Sequence, residues 1–142
     1  MESEYRVAVT IRRPRQEVAT TMFDLARAPD WMEGVLGYEP DSGEPPEPGS
    51  VFAWRIGKRA EVFEVVEYED ARTLVMESDD RVLTFELEGV PEGAIAWITA
   101  WSDAGGLRGL TNIVRFAKQR RAAIRGLRKL KRLVESGRYR AA

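Results

Sequence analysis

Residues 111–136 read TNIVRFAKQRRAAIRGLRKLKRLVES, and this stretch decides the architecture. At about 100° per residue, Ile113, Phe116, Ala123, Leu127, Leu130 and Val134 share one face of a helix, while Arg121, Arg125, Arg128 and Arg132 take the other. Roughly 25 residues at about 1.5 Å each make a helix of about 37 Å, long enough to cross a small sheet. Thr111 or Asn112 can cap its start, after the breaks at Gly105, Gly106 and Gly109, and Gly137 suits its end near Ser136. A helix with so long an apolar stripe requires a surface to bury it.

That surface lies upstream. Residues 51–57, 60–68, 73–78, 81–88 and 94–102 read as five short strands, separated by turn-rich pieces such as Asp79-Asp80 and Gly89-Val90-Pro91-Glu92-Gly93. Short connections make neighbouring strands antiparallel. Alternation places Phe52, Trp54 and Ile56 inward, with Leu83, Phe85 and Leu87, and with Ile95, Trp97, Thr99 and Trp101. Between 60 and 68, Phe63 and Val65 compete with Val62, Val66 and Tyr68 for the inner face, the signature of a bulge or of a strand covered on both faces.

Ahead of this meander, residues 5–12 alternate as a strand with Val7, Val9 and Ile11 on one face. Pro14 opens a helix over residues 14–26, with Val18, Met22 and Leu25 as its stripe, and Pro29 ends it. A further helical turn is expected at 28–34 and another strand from 35 to 39. Residues 40–49 contain PDSGEPPEPG and form an exposed loop, since proline cannot donate to a ladder. The fold expected is therefore α+β, a curved antiparallel sheet of six to seven strands around a long C-terminal helix, in one domain spanning 1–142.

Composition narrows the chemistry. The chain has 142 residues, 44% of them hydrophobic and 32% charged, within the ordinary globular range. It has no cysteine and no histidine, which removes disulfides, thiolate and imidazole catalysis and the usual zinc ligands. Any reaction must use carboxylates, Lys, Arg, Tyr or hydroxyls. The N-terminal MESEYRVAVTI starts acidic and lacks a long apolar core, so neither a signal peptide nor a membrane span is expected, and the location expected is cytoplasmic. No metal loop or phosphate loop is recognisable, and no cofactor is assigned.

The net charge of −1 hides a polarised chain. Residues 108–142 hold twelve Lys and Arg against Glu135 alone, leaving ten basic and twenty-two acidic residues before them. A basic helix of this kind can meet phosphate, nucleic acid or anionic lipid, or dock on the acidic sheet of its own chain. Its amphipathicity favours docking, and the basic face lacks the interleaved aromatics of a nucleic-acid surface, so nucleic acid is not the expected partner.

Taken together, several pieces resemble the helix-grip (SRPBCC) superfamily, which includes START-like and polyketide cyclase/dehydrase-like proteins. They are Val7 to Pro14 leading into the helix, Ala28-Pro29-Asp30-Trp31, the strand entry from Pro48-Gly49 to Trp54, Phe63-Glu64-Val65-Val66 ahead of Arg72-Thr73-Leu74, and the amphipathic end. The likeness spans nearly the whole chain. It implies an apolar cavity between sheet and last helix, with the turn that carries Trp31 near its mouth. It does not select a reaction, because members bind lipids, hormones or polyketides and some act as cyclases.

On this reading the expected ligand is an apolar small molecule, with or without an anionic group, and the candidate ligand-binding residues are Trp31, Trp54, Phe85, Trp97, Ile113, Phe116 and Arg120. The tryptophans serve equally well as ordinary core. Arg120 falls between Phe116 and Leu127, where its guanidinium either pairs an acidic head group, snorkels past the sheet edge, or bridges to Glu64 or Glu86. A cyclase or dehydrase is the alternative, with Arg120 polarising a carbonyl and an inward carboxylate or Tyr68 as acid or base. The other alternative is a surface role for Arg121, Arg125, Arg128 and Arg132 towards nucleic acid or anionic lipid.

Overall fold

The computed structural model describes the backbone of residues 2–103 and 108–137, and the side chains of residues 3–102 and 114–137. Strand β1 (Glu2–Ile11) leads into helix α1 (Arg15–Met22), a 3-10 turn (Leu25–Arg27) and helix α2 (Ala28–Trp31). Strands β2 (Val35–Ser42), β3 (Val51–Ile56), β4 (Arg59–Glu69), β5 (Thr73–Glu77), β6 (Val82–Val90) and β7 (Gly93–Asp103) follow, and helix α3 (Arg108–Glu135) ends the order. The seven strands form one antiparallel sheet in the order β1-β7-β6-β5-β4-β3-β2. The first strand thus closes on the last, and α1 and α2 carry the chain from one edge of the sheet to the other.

The expected meander is present strand for strand, with differences at the helix ends and at β2, which runs on to Ser42 into the stretch expected as loop, Pro40 pairing with Phe52 and Ser42 with Val51 across a bulge. Helix α1 stops at Met22 instead of continuing to 26, because Asp24 turns the chain by accepting a hydrogen bond from the Ala26 N–H at 3.3 Å. Helix α3 starts at Arg108, so Thr111 and Asn112 lie inside it and are not its caps. Its other end is as expected, with Gly137 at φ 72° donating its N–H to the Val134 carbonyl at 3.1 Å. Gly105 and Gly106 lie outside the described residues.

Strand β4 resolves its own ambiguity through a bulge. Its pairing with β5 slips between Val65 and Glu67, so Phe63 and Val65 point inward before the slip, and Tyr68 packs against the core after it. Val62 and Val66 are left outside. Phe63 stacks on Phe52 at 5.6 Å, and both rings meet Trp54. The indole N–H of Trp54 donates to the Leu25 carbonyl at 3.1 Å, tying β3 to the 3-10 turn beneath it.

Strand β7 corrects the expected phase. Ala94, Ala96, Ile98, Ala100 and Ser102 face inward, while Trp97 lies on the outer face under the Arg6 guanidinium at 4.1 Å and Trp101 is 36% exposed. Alternation leaves the phase of a strand open, and here the small inward side chains of β7 lie beside β1, on which α3 packs.

Helix α3 buries Phe116, Leu127, Leu130 and Val134. Gly126 allows a close approach to α2, since a Cβ there would stand 3.1 Å from the Trp31 carbonyl oxygen. The far end of the helix is pinned to β1. Glu135 accepts hydrogen bonds from the Arg12 N–H at 2.8 Å and from Lys131, Lys131 also donates to the Thr10 carbonyl at 2.9 Å, and Arg13 donates to the Glu135 carbonyl at 2.7 Å. The Arg12 N–H, then Lys131, holds the Glu135 carboxyl below its usual value of 4.5. A carboxyl with a lowered folded pKa stabilises the fold above its unfolded pKa and loses that contribution as pH falls through the folded value. Glu135→Gln is therefore expected to lower stability in urea unfolding at pH 7 and to narrow its gap to wild type at pH 3.

Candidate functional site

Between the front half of α3 and the concave face of the sheet lies a cleft of about 960 Å³. Its apolar lining includes Trp31, Val35, Ile56, Ile98, Phe116 and Ala123. The elements explain the opening. Along the rear of α3, Leu127, Leu130 and Val134 fill the space against the core, whereas the front presents Ala122 and Ala123, which reach less far.

Trp31 ends α2, and its ring packs on Phe85 with centroids 5.7 Å apart. It is 1% exposed, and its indole nitrogen has no hydrogen-bond partner among the described residues. The Oε1 atom of Gln119, on the facing wall, is likewise buried without a partner. Leaving such an atom unsatisfied costs about 1–3 kcal/mol. Phe116 meets the Tyr5 ring edge-on at 5.4 Å, and burial, ahead of the nearby Arg81 and Glu61 charges, raises the Tyr5 hydroxyl pKa above its usual value. Tyr5 therefore stays protonated at neutral pH.

The polar end of the cleft is built on Glu61 and Arg81. Arg81 Nε donates to Glu61 Oε2 at 3.0 Å and Nη2 donates to Oε1 at 2.8 Å, with side chains only 11% and 13% exposed. The Ser78 hydroxyl adds a third hydrogen bond to Glu61 at 2.8 Å. A carboxylate so engaged is held for structure and is not free as a general base. Arg59 pairs with Asp80 at 3.2 Å on the rim, and Ser102 donates to the Asp80 carbonyl at 2.7 Å. Glu33, at the edge of the cleft, forms a two-point pair with Arg125, with Nη2 to Oε1 at 2.7 Å, and that pairing holds the Glu33 carboxyl below its usual range.

Of the candidates read from sequence, Trp31 and Phe116 line the cleft. Phe85 lies behind Trp31, and Trp54 is fully enclosed in the aromatic core. Trp97 is on the opposite face of the sheet, and the side chain of Ile113 lies outside the described residues. Arg120 is exposed and does not line the cleft. It sits one residue, about 100°, around the helix from Gln119, so the wall is made by the neighbouring stripe. It has no ion pair with Glu64 or Glu86 among the described residues; the buried guanidinium is Arg81 and its carboxylate is Glu61. Both were detectable by phase, Arg81 with Leu83 and Phe85 and Glu61 with Phe63 and Val65, once the inner face of β4 is known.

Removing one member of a pair this buried leaves the other charge uncompensated. Arg81→Leu is expected to destabilise the protein by about 3–5 kcal/mol, and Glu61→Leu combined with Arg81→Leu to recover most of the loss. Urea unfolding of the two single variants and the double variant checks this, and strictly additive losses would contradict it.

No curated protein matches the sequence. Among solved structures, the chain is similar to the Zhui aromatase/cyclase from a Streptomyces species, with TM-score 0.77, 13% identity, and coverage of 99% of this chain and 98% of that one. It is similar also to a Mesorhizobium loti protein, with TM-score 0.74, 17% identity and coverage of 98% and 100%. A third is DynU16, a putative protein in the dynemicin biosynthetic locus, with TM-score 0.73, 18% identity, and coverage of 94% of this chain but 48% of that one. At such identities these likenesses speak for the fold alone. The family model described as polyketide cyclase / dehydrase and lipid transport matches residues 3–135, and the chain belongs to that family.

Proposed function

We propose that the protein binds an apolar small molecule, of the lipid or polyketide kind, in the cleft between its sheet and α3. The observation that carries this reading is the cleft itself, about 960 Å³ of space walled by Trp31, Ile98 and Phe116. Family membership supports the same ligand class.

Carriage or sensing is favoured over catalysis by the state of the polar groups. Glu61 accepts three hydrogen bonds from Ser78 and Arg81, and Arg120, the arginine nominated for a carbonyl, lies off the cleft. The cyclase alternative keeps one specific support. Tyr5 lines the cleft as a protonated hydroxyl held beside Arg81, which suits a hydrogen-bond donor or proton donor to a carbonyl. Tyr5→Phe separates the two, leaving a carrier able to bind and a Tyr5-dependent enzyme unable to turn over.

Filling the cleft tests the reading directly. Ala123→Trp is expected to weaken binding of an apolar naphthalene probe by about tenfold or more, since the added indole takes the volume the probe needs. Arg120→Ala should leave it within about twofold, being exposed and off the wall. Titrations that follow the probe's own emission measure both, and an Ala123→Trp protein that binds as wild type would remove the cleft as the site.

A further inference from the structure

The outer side of α3 carries a second surface, independent of what the cleft holds. At about 100° per residue, Lys118, Arg121, Arg125, Arg128 and Arg132 fall within about 80° of one another, on the side of the helix opposite the buried Phe116, Leu127 and Val134. All five are exposed. Glu33 matches Arg125, whereas Lys118, Arg121, Arg128, Lys129 and Arg132 have no carboxylate partner among the described residues. Glu135, the one acidic residue of the helix, is taken by Lys131 and the Arg12 N–H. From Arg121 to Arg132 the basic row runs straight for about 16 Å.

Beside that row lies a groove of about 530 Å³, which shares residues 31–35 and Gly126 with the edge of the cleft and runs on along the helix to Arg132. Pro29, Met32 and Leu36 give it an apolar side, and Arg128, Lys129 and Arg132 a basic one. Leu36 is 66% exposed, and Val114, 59% exposed, lies on the same line of the helix as the arginines. The opposite side of the molecule is acidic. Glu64 and Glu77, paired across β4 and β5, are exposed on the outer face of the sheet. A net charge of −1 is thus split into two poles, and the positive one bears bare aliphatic side chains.

Unmatched cations beside exposed aliphatics specify a partner that is anionic at its surface and admits hydrocarbon beneath it. Anionic lipid attracts each Lys or Arg near its surface, by about fivefold in partition for each one, and the interface takes up aliphatic side chains. A surface for single-stranded nucleic acid would carry stacking aromatics, and the exposed side of α3 from 114 to 132 holds none. We propose that the outer face of α3, with Leu36 and Val114, docks the protein on an anionic lipid bilayer, the acidic outer face of the sheet being turned away from it.

Co-sedimentation of the full-length protein with vesicles tests this. Wild type is expected to sediment with vesicles of phosphatidylcholine and phosphatidylglycerol in equal parts, to stay in solution with phosphatidylcholine alone, and to be released as salt rises from about 0.1 M to about 0.5 M. Arg128→Gln with Arg132→Gln is expected to lower partition about tenfold or more. Arg55→Gln with Lys58→Gln, which removes the same charge from exposed positions on β3 and the turn after it, should leave it within about threefold. The chain has no cysteine, so Leu36→Cys and Val62→Cys each carry a single polarity-sensitive fluorophore, the second on the outer face of the sheet. On the anionic vesicles, emission from position 36 is expected to shift to the blue and that from position 62 to stay unchanged.

No binding to the anionic vesicles, equal binding to both kinds, equal losses from the two double variants, or a blue shift at 62 in place of 36 overturns the proposal. So does a single-stranded oligonucleotide that strips the protein from the vesicles at equal phosphate concentration, which would give the face to nucleic acid. The substituted side chains are all exposed, so each variant is expected to fold, as a thermal scan checks. Should a double variant not fold, the labelled pair decides.

Discussion

The contact between the rear half of α3 and the concave sheet governs everything else in this protein. Phe52, Trp54, Phe63, Val65, Leu74, Met76, Leu83 and Phe85 form an apolar surface too large for the sheet to cover by bending alone. Leu127, Leu130 and Val134 close one end of it, and Glu135 and Lys131 fasten that end to β1 through backbone groups. The helix is long and stiff, so anchoring it at the rear fixes how high its front stands above the sheet. The cleft is the space left by that geometry where Ala122 and Ala123 stand in place of larger side chains.

A cleft formed in this way needs walls that do not collapse into it, and the aromatic packing supplies them. Phe52, Phe63 and Trp54 lock β3 to β4, while Phe85 props Trp31 from behind and Phe116 leans on Tyr5. At the polar end the Glu61–Arg81 pair does the same work by charge, with Arg81 also lying 5.6 Å over the Phe63 ring. Walls propped from behind in this way leave little ordering to be done when a ligand enters.

The fold was legible because its signals are periodic and local. The stripe Phe116, Leu127, Leu130, Val134 identified α3, and short turns between alternating strands identified the antiparallel meander. Even the β4 bulge showed as two competing phases around Phe63 and Tyr68. The site was much less legible, since it depends on which stripe of α3 faces a space and not on which stripe is apolar. Arg120 lies at the edge of the apolar arc, but the opening is towards Gln119, one step around the helix. Alternation on β7 leaves the phase open, and the one that puts Trp97 inward is reversed by Ala94, Ala96, Ile98 and Ala100, which take the inner face. Glu61 and Arg81 are far apart in sequence and meet only when β4, β5 and β6 pair, which no local pattern encodes.

The central claim is that a ligand enters between α3 and the sheet, beside Trp31 and Phe116. Chemical-shift mapping by NMR on adding 2-methylnaphthalene addresses it most directly. Saturable shifts are expected at the Trp31 indole N–H, Ile98, Phe116 and Ala123, with Trp97 and Arg120 unmoved. Shifts centred on Trp97 and Trp101 at the outer face, with Trp31 and Phe116 silent, would contradict it.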